Sequence, residues 1–212
     1  MTKPFILGLA GFRQVGKTTL ANHLVDEFGF IDIHPFNGGK VATRAYFMHI
    51  GASEEEAWRM TDGDLKDAPS PYLPNVTAEQ AGPKVGVEGD HHKPRFFMEH
   101  FGKMMGTTLG PDWTIGKEIE LALTYGDHDR LIVSSLVYED AFIREFGAKI
   151  WRLNIEGRTP APGLKTDEYT QKMIVDLDLN NDGPIEELFV KARENLHLLG
   201  IEKEPTPNPS LA

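Results

Sequence analysis

The 212-residue chain contains no cysteine. That excludes disulfides and thiolate metal sites, and the simplest compartment is a reducing cytoplasm. Long apolar runs are also missing. Stretches such as residues 131–133 fall far short of the roughly 20 residues a membrane span needs, so no membrane partner is expected. The first residues lead straight into a strand-like run with no signal-peptide pattern. Positive charge is scarce: 22 Lys and Arg stand against 32 Asp and Glu, a formal net charge of −10. Phosphate-backbone binding rests on clustered Lys and Arg, so the overall field does not attract nucleic acid, although a local basic groove would. Repeats and low-complexity tracts are absent. What is there is ordinary for a globular chain, with 40% hydrophobic and 25% charged residues. The length suits one domain, 1–200, with a small inserted region, followed by a polar flexible tail over 201–212.

The pattern along the chain alternates. Residues 5–10 read as a buried strand, 17–28 as a helix stopped by Gly29, and 30–36 as a second strand. Helices follow at 40–50 and from Ser53 to about 61, the latter opened by a capping-box-like Ser53-Glu-Glu-Glu. Residues 62–92 are rich in Pro and Gly and read as a long irregular excursion with a small hairpin, of the kind that is usually functional. Helices are expected at 94–105, 112–125, 138–146 and 184–199, and strands at 130–136, 149–155 and within 172–179. Between the last two strands, 156–165 reads as a Gly/Pro-rich loop. Alternation of this kind predicts an α/β fold, a three-layer sandwich with a mostly parallel central sheet. Ligands of such sheets sit beyond the carboxyl ends of the strands, where the strand order reverses.

Gly11-Phe-Arg-Gln-Val-Gly-Lys-Thr18 matches the P-loop (Walker A) pattern in full, with a strand before it and a helix after it. The glycines let backbone N–H groups of Gly11, Gln14, Val15, Gly16, Lys17, Thr18 and Thr19 converge on one oxyanion at the positive end of a helix. Lys17 can reach the outer phosphates, and the Thr18 hydroxyl can ligate Mg²⁺. The expected cofactors are ATP and Mg²⁺. Arg13 within the loop suits the charge that builds up between donor and acceptor phosphates.

Further segments carry a resemblance. They are Lys40 with the apolar helix after it, Arg95-Phe-Phe-Met-Glu-His-Phe-Gly102, the acidic–aromatic pair Asp112-Trp113, Gly147-Ala-Lys-Ile150, and Asn181-Asp-Gly-Pro-Ile-Glu-Glu-Leu188. On these residues the chain resembles the phage deoxynucleoside monophosphate kinases from residue 5 to about 199, with 62–92 matching poorly. The resemblance implies a P-loop kinase fold whose helical acceptor-binding region spans 37–128, and a substrate that is a small nucleotide. It departs at three places. An Asp and an Arg usual after the third core strand are replaced by Ser135 and Val137, so another acid, Glu139 or Asp176, would have to substitute. The base-facing Gln of the family is Glu99 here.

With a monophosphate acceptor no general base is needed, and catalysis is positioning plus charge neutralisation. Lys17, Arg13 and Arg158 are the expected catalytic residues. Lys40, Arg44, Arg95, Glu99 and Trp113 are expected on the substrate, and 156–168, with Arg158 and Lys165, is a candidate lid. With a hydroxyl acceptor a base is useful, and Asp32, His34 and Asp67 are the candidates. That alternative matters because related phage P-loop kinases act on the hydroxymethyl group of 5-hydroxymethyluracil in DNA, and modified DNA would then be the partner. A non-catalytic ATP-binding switch ranks below both. His91 and His92 are adjacent and point apart in regular structure, which disfavours one shared metal. The oligomeric state stays open, a homodimer included.

Overall fold

The computed structural model describes residues 4–82, 85–125, 128–159 and 165–203. It divides into two compact units, Met1–Pro35 with Ile115–Ala212, and Phe36–Thr114.

The first unit is built on a five-stranded sheet in the order β2-β3-β1-β4-β5. The strands are β1 (Phe5–Ala10), β2 (Ile31–Asp32), β3 (Arg130–Val133), β4 (Lys149–Asn154) and β5 (Leu177–Asn180). All four pairings are parallel. Side chains alternate across the pleat, so β1 sends Leu7 and Leu9 to one face and Ile6 and Ala10 to the other. On the first face α1 (Lys17–Phe28) and α8 (Ile185–Leu198) cover the sheet through Leu20, Leu24, Leu188, Ala192 and Leu196. On the second face the core takes Ile115 and Ile119 of α5 (Pro111–Tyr125) and Ile143 of α6 (Asp140–Glu145). A parallel sheet buried on both faces has strands that read as continuous apolar runs, as Leu131-Ile-Val133 does. The expected α/β class is the observed one.

Several elements differ from the sequence reading. β2 is two residues long, not seven: Ile33 N–H still bonds Ile132 O at 2.8 Å, but Pro35 has no N–H to continue the ladder. The segment expected as a loop to residue 165 gives way to an unpredicted helix, α7 (Lys165–Lys172), with Asp167 and Glu168 in its first turn. Residues 160–164 of the candidate lid and 204–212 of the tail lie outside the described residues. The first four residues of α5, 111–114, belong to the second unit, whereas Ile115 and Ile119 pack in the sheet core. The second compact unit spans Phe36–Thr114.

The second unit packs α2 (Asn37–His49), α3 (Glu54–Thr61), a single 3-10 turn at Asp64–Asp67 and α4 (Pro94–Thr108) around Phe47, Ala57, Met60 and Leu73. The capping box at α3 forms in both directions, with Ser53 Oγ accepting from Glu56 N–H and Glu56 accepting from Ser53 N–H. The 62–92 excursion is held by paired backbone. Asn75 bridges His91 antiparallel, Val76 N–H bonds Asp90 O at 2.7 Å, and His92 N–H bonds Pro74 O at 2.9 Å.

Candidate functional site

β1 is the reversal point of the sheet. From it the strand order runs to β3 and β2 on one side and to β4 and β5 on the other. The loop after β1 therefore opens at the carboxyl edge, where the crevice of such a sheet lies. Its shape comes from left-handed backbone at Gly11 (φ 129°), Gln14 (φ 61°) and Gly16 (φ 96°). Two of these positions admit only glycine. A Cβ on Gly11 would lie 2.4 Å from Leu153 O, and one on Gly16 would lie 2.7 Å from Asn181 Nδ2. Val15 is fully buried and anchors the loop, whereas Arg13, Gln14, Thr18 and Thr19 are exposed. Gly16 also caps α1, so the loop runs directly into a helix N-terminus.

Two long-range contacts clasp the loop. Asn181 Nδ2 donates to Val15 O at 3.1 Å, from the segment that opens α8. Arg158 donates to Gln14 O at 3.3 Å and is otherwise exposed. Lys17 folds back over the loop and donates to Gly11 O at 2.7 Å and Phe12 O at 2.6 Å. Burial lowers its pKa from 10.5 to about 8; the charge of Asp167 opposes that drop and Arg13 adds to it. Asp167, buried in the first turn of α7, is thus an acid near Lys17 that the sequence reading missed. Its signal was the acidic first turn of a helix over a stretch, 166–171, to which the sequence reading assigned no element.

Both acids named as substitutes for the missing carboxylate are engaged with backbone donors. Glu139 is buried and accepts from Val137 N–H and Tyr138 N–H, both at 3.0 Å, closing the turn before α6. Burial raises its pKa against the pull of those donors. Asp176 accepts from Ile150 N–H at 2.8 Å and pairs with Arg144 at 3.1 Å. Ile150 lies at the start of β4, so Asp176 sits at the amino edge of the sheet, opposite the loop. Asp32 is placed better. It ends β2 at the carboxyl edge, where Ser134 just past β3 donates to it from Oγ at 2.8 Å and from N–H at 3.2 Å. The residue facing this carboxylate is Ser134, the neighbour of Ser135. His34 lies two residues beyond β2 and is half-buried. Oxygen donors of Thr18 and Asp32 are the hard ligands that Mg²⁺ takes, and the glycine-shaped cradle fits a phosphate. Among the described residues no group of three or more His, Asp or Glu is placed to hold a metal without a ligand's help.

In the second unit Lys40 and Arg44, four residues apart on α2, both reach Asp62, at 2.7 and 2.8 Å. Arg44 Nε also donates to Thr61 Oγ1 at 3.0 Å. Burial works against the Asp62 carboxylate, but Lys40, Thr61 and Arg44 hold its pKa below the usual range. Arg95, in the first turn of α4, grips Asp67 through Nε and, at 2.7 Å, through its NH2 group. Asp67 is therefore a paired carboxylate with a lowered pKa, poorly suited to act as a base. Lys66 lies between these pairs. Its pKa is lowered first by burial and then by the charges of Arg95 and Lys40. It makes no hydrogen bond or ion pair among the described residues, and nothing in the sequence singled it out. With Lys93 acting on Asp67 and Glu99 on Arg95, five cations thus meet three carboxylates. Glu99 is exposed on α4, and Trp113 is 50% exposed rather than a core residue. His91 and His92 bond to Leu73 O at 2.7 Å and Gln80 Oε1 at 3.1 Å, on different partners, so they share no metal.

No helix among the described residues is long and apolar enough to cross a membrane. No protein-family model matches the chain, and no curated protein matches it. Among solved structures, TT1252 from Thermus thermophilus is similar with a TM-score of 0.47 at 15% identity, over 93% of this chain and 99% of that one. An unliganded sugar kinase from Janibacter sp. HTCC2649 gives a TM-score of 0.36 at 14% identity, over 93% of this chain and 95% of that one. Likenesses this weak say nothing about activity.

Proposed function

We propose that the chain is an ATP-dependent kinase that transfers the γ-phosphoryl group to a free deoxynucleoside monophosphate. The observation that carries this reading is the loop at residues 11–18, shaped by two positions that admit only glycine and closed over by Lys17. With ATP bound, Lys17 would exchange its two carbonyl partners for phosphate oxygens, and Mg²⁺ held through Thr18 would supply further positive charge. An acceptor phosphate oxygen forms the new P–O bond as the bond to the leaving ADP oxygen breaks. The attacking oxygen is already anionic, so no proton moves. Arg13 and Arg158 neutralise charge from the loop side. Lys40, Arg44, Lys66 and Arg95 are the acceptor-phosphate candidates, and their excess over Asp62 and Asp67 suits a dianion in an otherwise acidic chain.

A second reading has one observation in its favour. Asp32, oriented by Ser134 at the carboxyl edge, is placed as a base for a hydroxyl acceptor such as the hydroxymethyl group of 5-hydroxymethyluracil in DNA. The net charge of −10 weighs against a polymeric acceptor.

Incubation with γ-labelled ATP decides between them. Free deoxynucleoside monophosphates, plain duplex and hydroxymethyluracil duplex are compared, with Lys17→Ala as background. Label on the free nucleotides, abolished in Lys17→Ala, is the expected outcome. Label on the modified duplex alone replaces the first reading by the second. ATP binding with no transfer to any acceptor rejects both and leaves a nucleotide-binding switch.

A further inference from the structure

Two carboxylates of the second unit hold its basic residues, and they hold them differently. Asp62 is the inner one. It accepts from Lys40 at 2.7 Å, from Arg44 at 2.8 Å and from Thr61 Oγ1 at 3.0 Å, and its side chain is 22% exposed. A partly buried carboxylate with three donors is costly to dislodge, because the charges on both sides would be left uncompensated. Asp67 is the outer one. Arg95 meets it through Nε and, at 2.7 Å, through Nη2, and the Asp67 side chain is 62% exposed. Ion pairs this open to water contribute little, so a solute can replace one partner.

The Arg95–Asp67 contact has the form of an anion on its receptor. Two N–H donors of one guanidinium on two oxygens make the fork that binds a phosphate as readily as a carboxylate. The fork stands in the first turn of α4, a 15-residue helix whose N-cap residue, Lys93, makes no side-chain cap. The positive end of that helix and the charge of Lys93, which acts on Asp67, add to the attraction for an anion here.

Lys66 precedes Asp67 in the 3-10 turn and is half-buried. Its ammonium has no hydrogen-bonded anion among the described residues, and the charges of Arg95 and Lys40 act against it. A partly desolvated cation set among other cations is unfavourable, and an anion carrying more charge than one carboxylate would relieve it.

We propose that Asp67 is a built-in competitor for the acceptor's phosphate: it occupies Arg95 while the site is empty, and an incoming phosphate monoester displaces it and is held between Arg95 and Lys66. The assignment rests on the kinase reading for its role. It narrows the acceptor-phosphate candidates to two, because Lys40 and Arg44 stay with Asp62. It also gives the 62–92 excursion a task, since Lys66 and Asp67 both come from it and set how tightly the acceptor is held.

The test is footprinting of Lys66 with an acylating reagent, read by mass spectrometry, on the full wild-type chain and on Asp67→Asn, without ATP. The four deoxynucleoside monophosphates and their deoxynucleosides are added at matched ionic strength. At least one monophosphate is expected to protect Lys66 while its deoxynucleoside does not. Asp67→Asn is expected to lower the concentration for half-protection about threefold. The direction is the informative part: a residue that merely steadied Arg95 would raise that concentration when substituted. No protection by any monophosphate, equal protection by the deoxynucleosides, or an Asp67→Asn value equal to or above the wild type each overturns the assignment. If Asp67→Asn does not fold, the wild-type comparison of nucleotide with nucleoside decides alone. Label transfer separates this from the kinase reading. A chain whose Lys66 is protected by monophosphates but that transfers nothing keeps the phosphate site and loses the kinase. One that transfers label while Lys66 stays unprotected keeps the kinase and loses the site.

Discussion

On the proposed function, the lowered pKa of Lys17 makes nucleotide affinity depend on pH in a calculable way. In the free chain burial brings the ammonium pKa to about 8, and bound phosphates favour the charged form. Binding therefore takes up a proton above pH 8, and the affinity present below that value is lost as pH rises through it. With a pKa of about 8, roughly three quarters of Lys17 is charged at pH 7.5 and about 3% at pH 9.5. If the bound pKa stays above that range, the dissociation constant for ATP rises about 25-fold between the two, or about 2 kcal/mol. The fold itself moves in the opposite sense. The unfolded chain keeps this proton to about 10.5, so the native state gains stability between about 8 and 10.5 and does not confound the titration. The assay is displacement of a fluorescent ATP analogue without Mg²⁺, starting at pH 7.5 so that the phosphates stay ionised. Lys17→Met is expected to bind weakly and without a pH slope. A flat wild-type profile, or an equal slope in Lys17→Met, refutes the reasoning.

Two further predictions concern the cradle. Gly11→Ala places a methyl 2.4 Å from Leu153 O at a φ of 129°, and neither backbone can give way cheaply. It is expected to cost about 2 kcal/mol or more in denaturant unfolding, together with nucleotide binding; a wild-type midpoint would contradict this. Asn181→Ala removes the hydrogen bond to Val15 O and is expected to cost about 1 kcal/mol and weaken ATP several-fold, and unchanged affinity would mean the clasp is idle.

The parts legible in the sequence are those written locally. β1, the glycine loop and α1 follow one another without a break, and periodicity, left-handed glycines and a helix start all fall within residues 5–28. The capping box of α3 is likewise a four-residue signal. What escaped is written across the chain. Ser134 meets Asp32 at a separation of 102 residues, and the Asn181 clasp spans 166. No window carries such pairings. Lys66 has the look of any surface lysine, because only packing of the 3-10 turn against α3 and α4 sets it among Arg95 and Lys40. Trp113, expected on the substrate, is half-exposed, which the size of its side chain alone does not indicate.

The 166-residue reach of the Asn181 contact bears on the order in which the protein becomes competent during synthesis. A nascent chain that has left the ribosome as far as β3 contains the whole of residues 11–18 and the strand beside them. It still lacks β4, whose Leu153 carbonyl backs Gly11, and the segment whose amide holds Val15. Chains emerge N-terminus first at about 5–20 residues per second, so the phosphate loop waits on the order of ten seconds for its last fastening. On the proposed function, translation arrested before residue 181 would thus yield a chain with a complete motif and a loose grip on ATP, and release of α8 would be the moment at which nucleotide first stays bound.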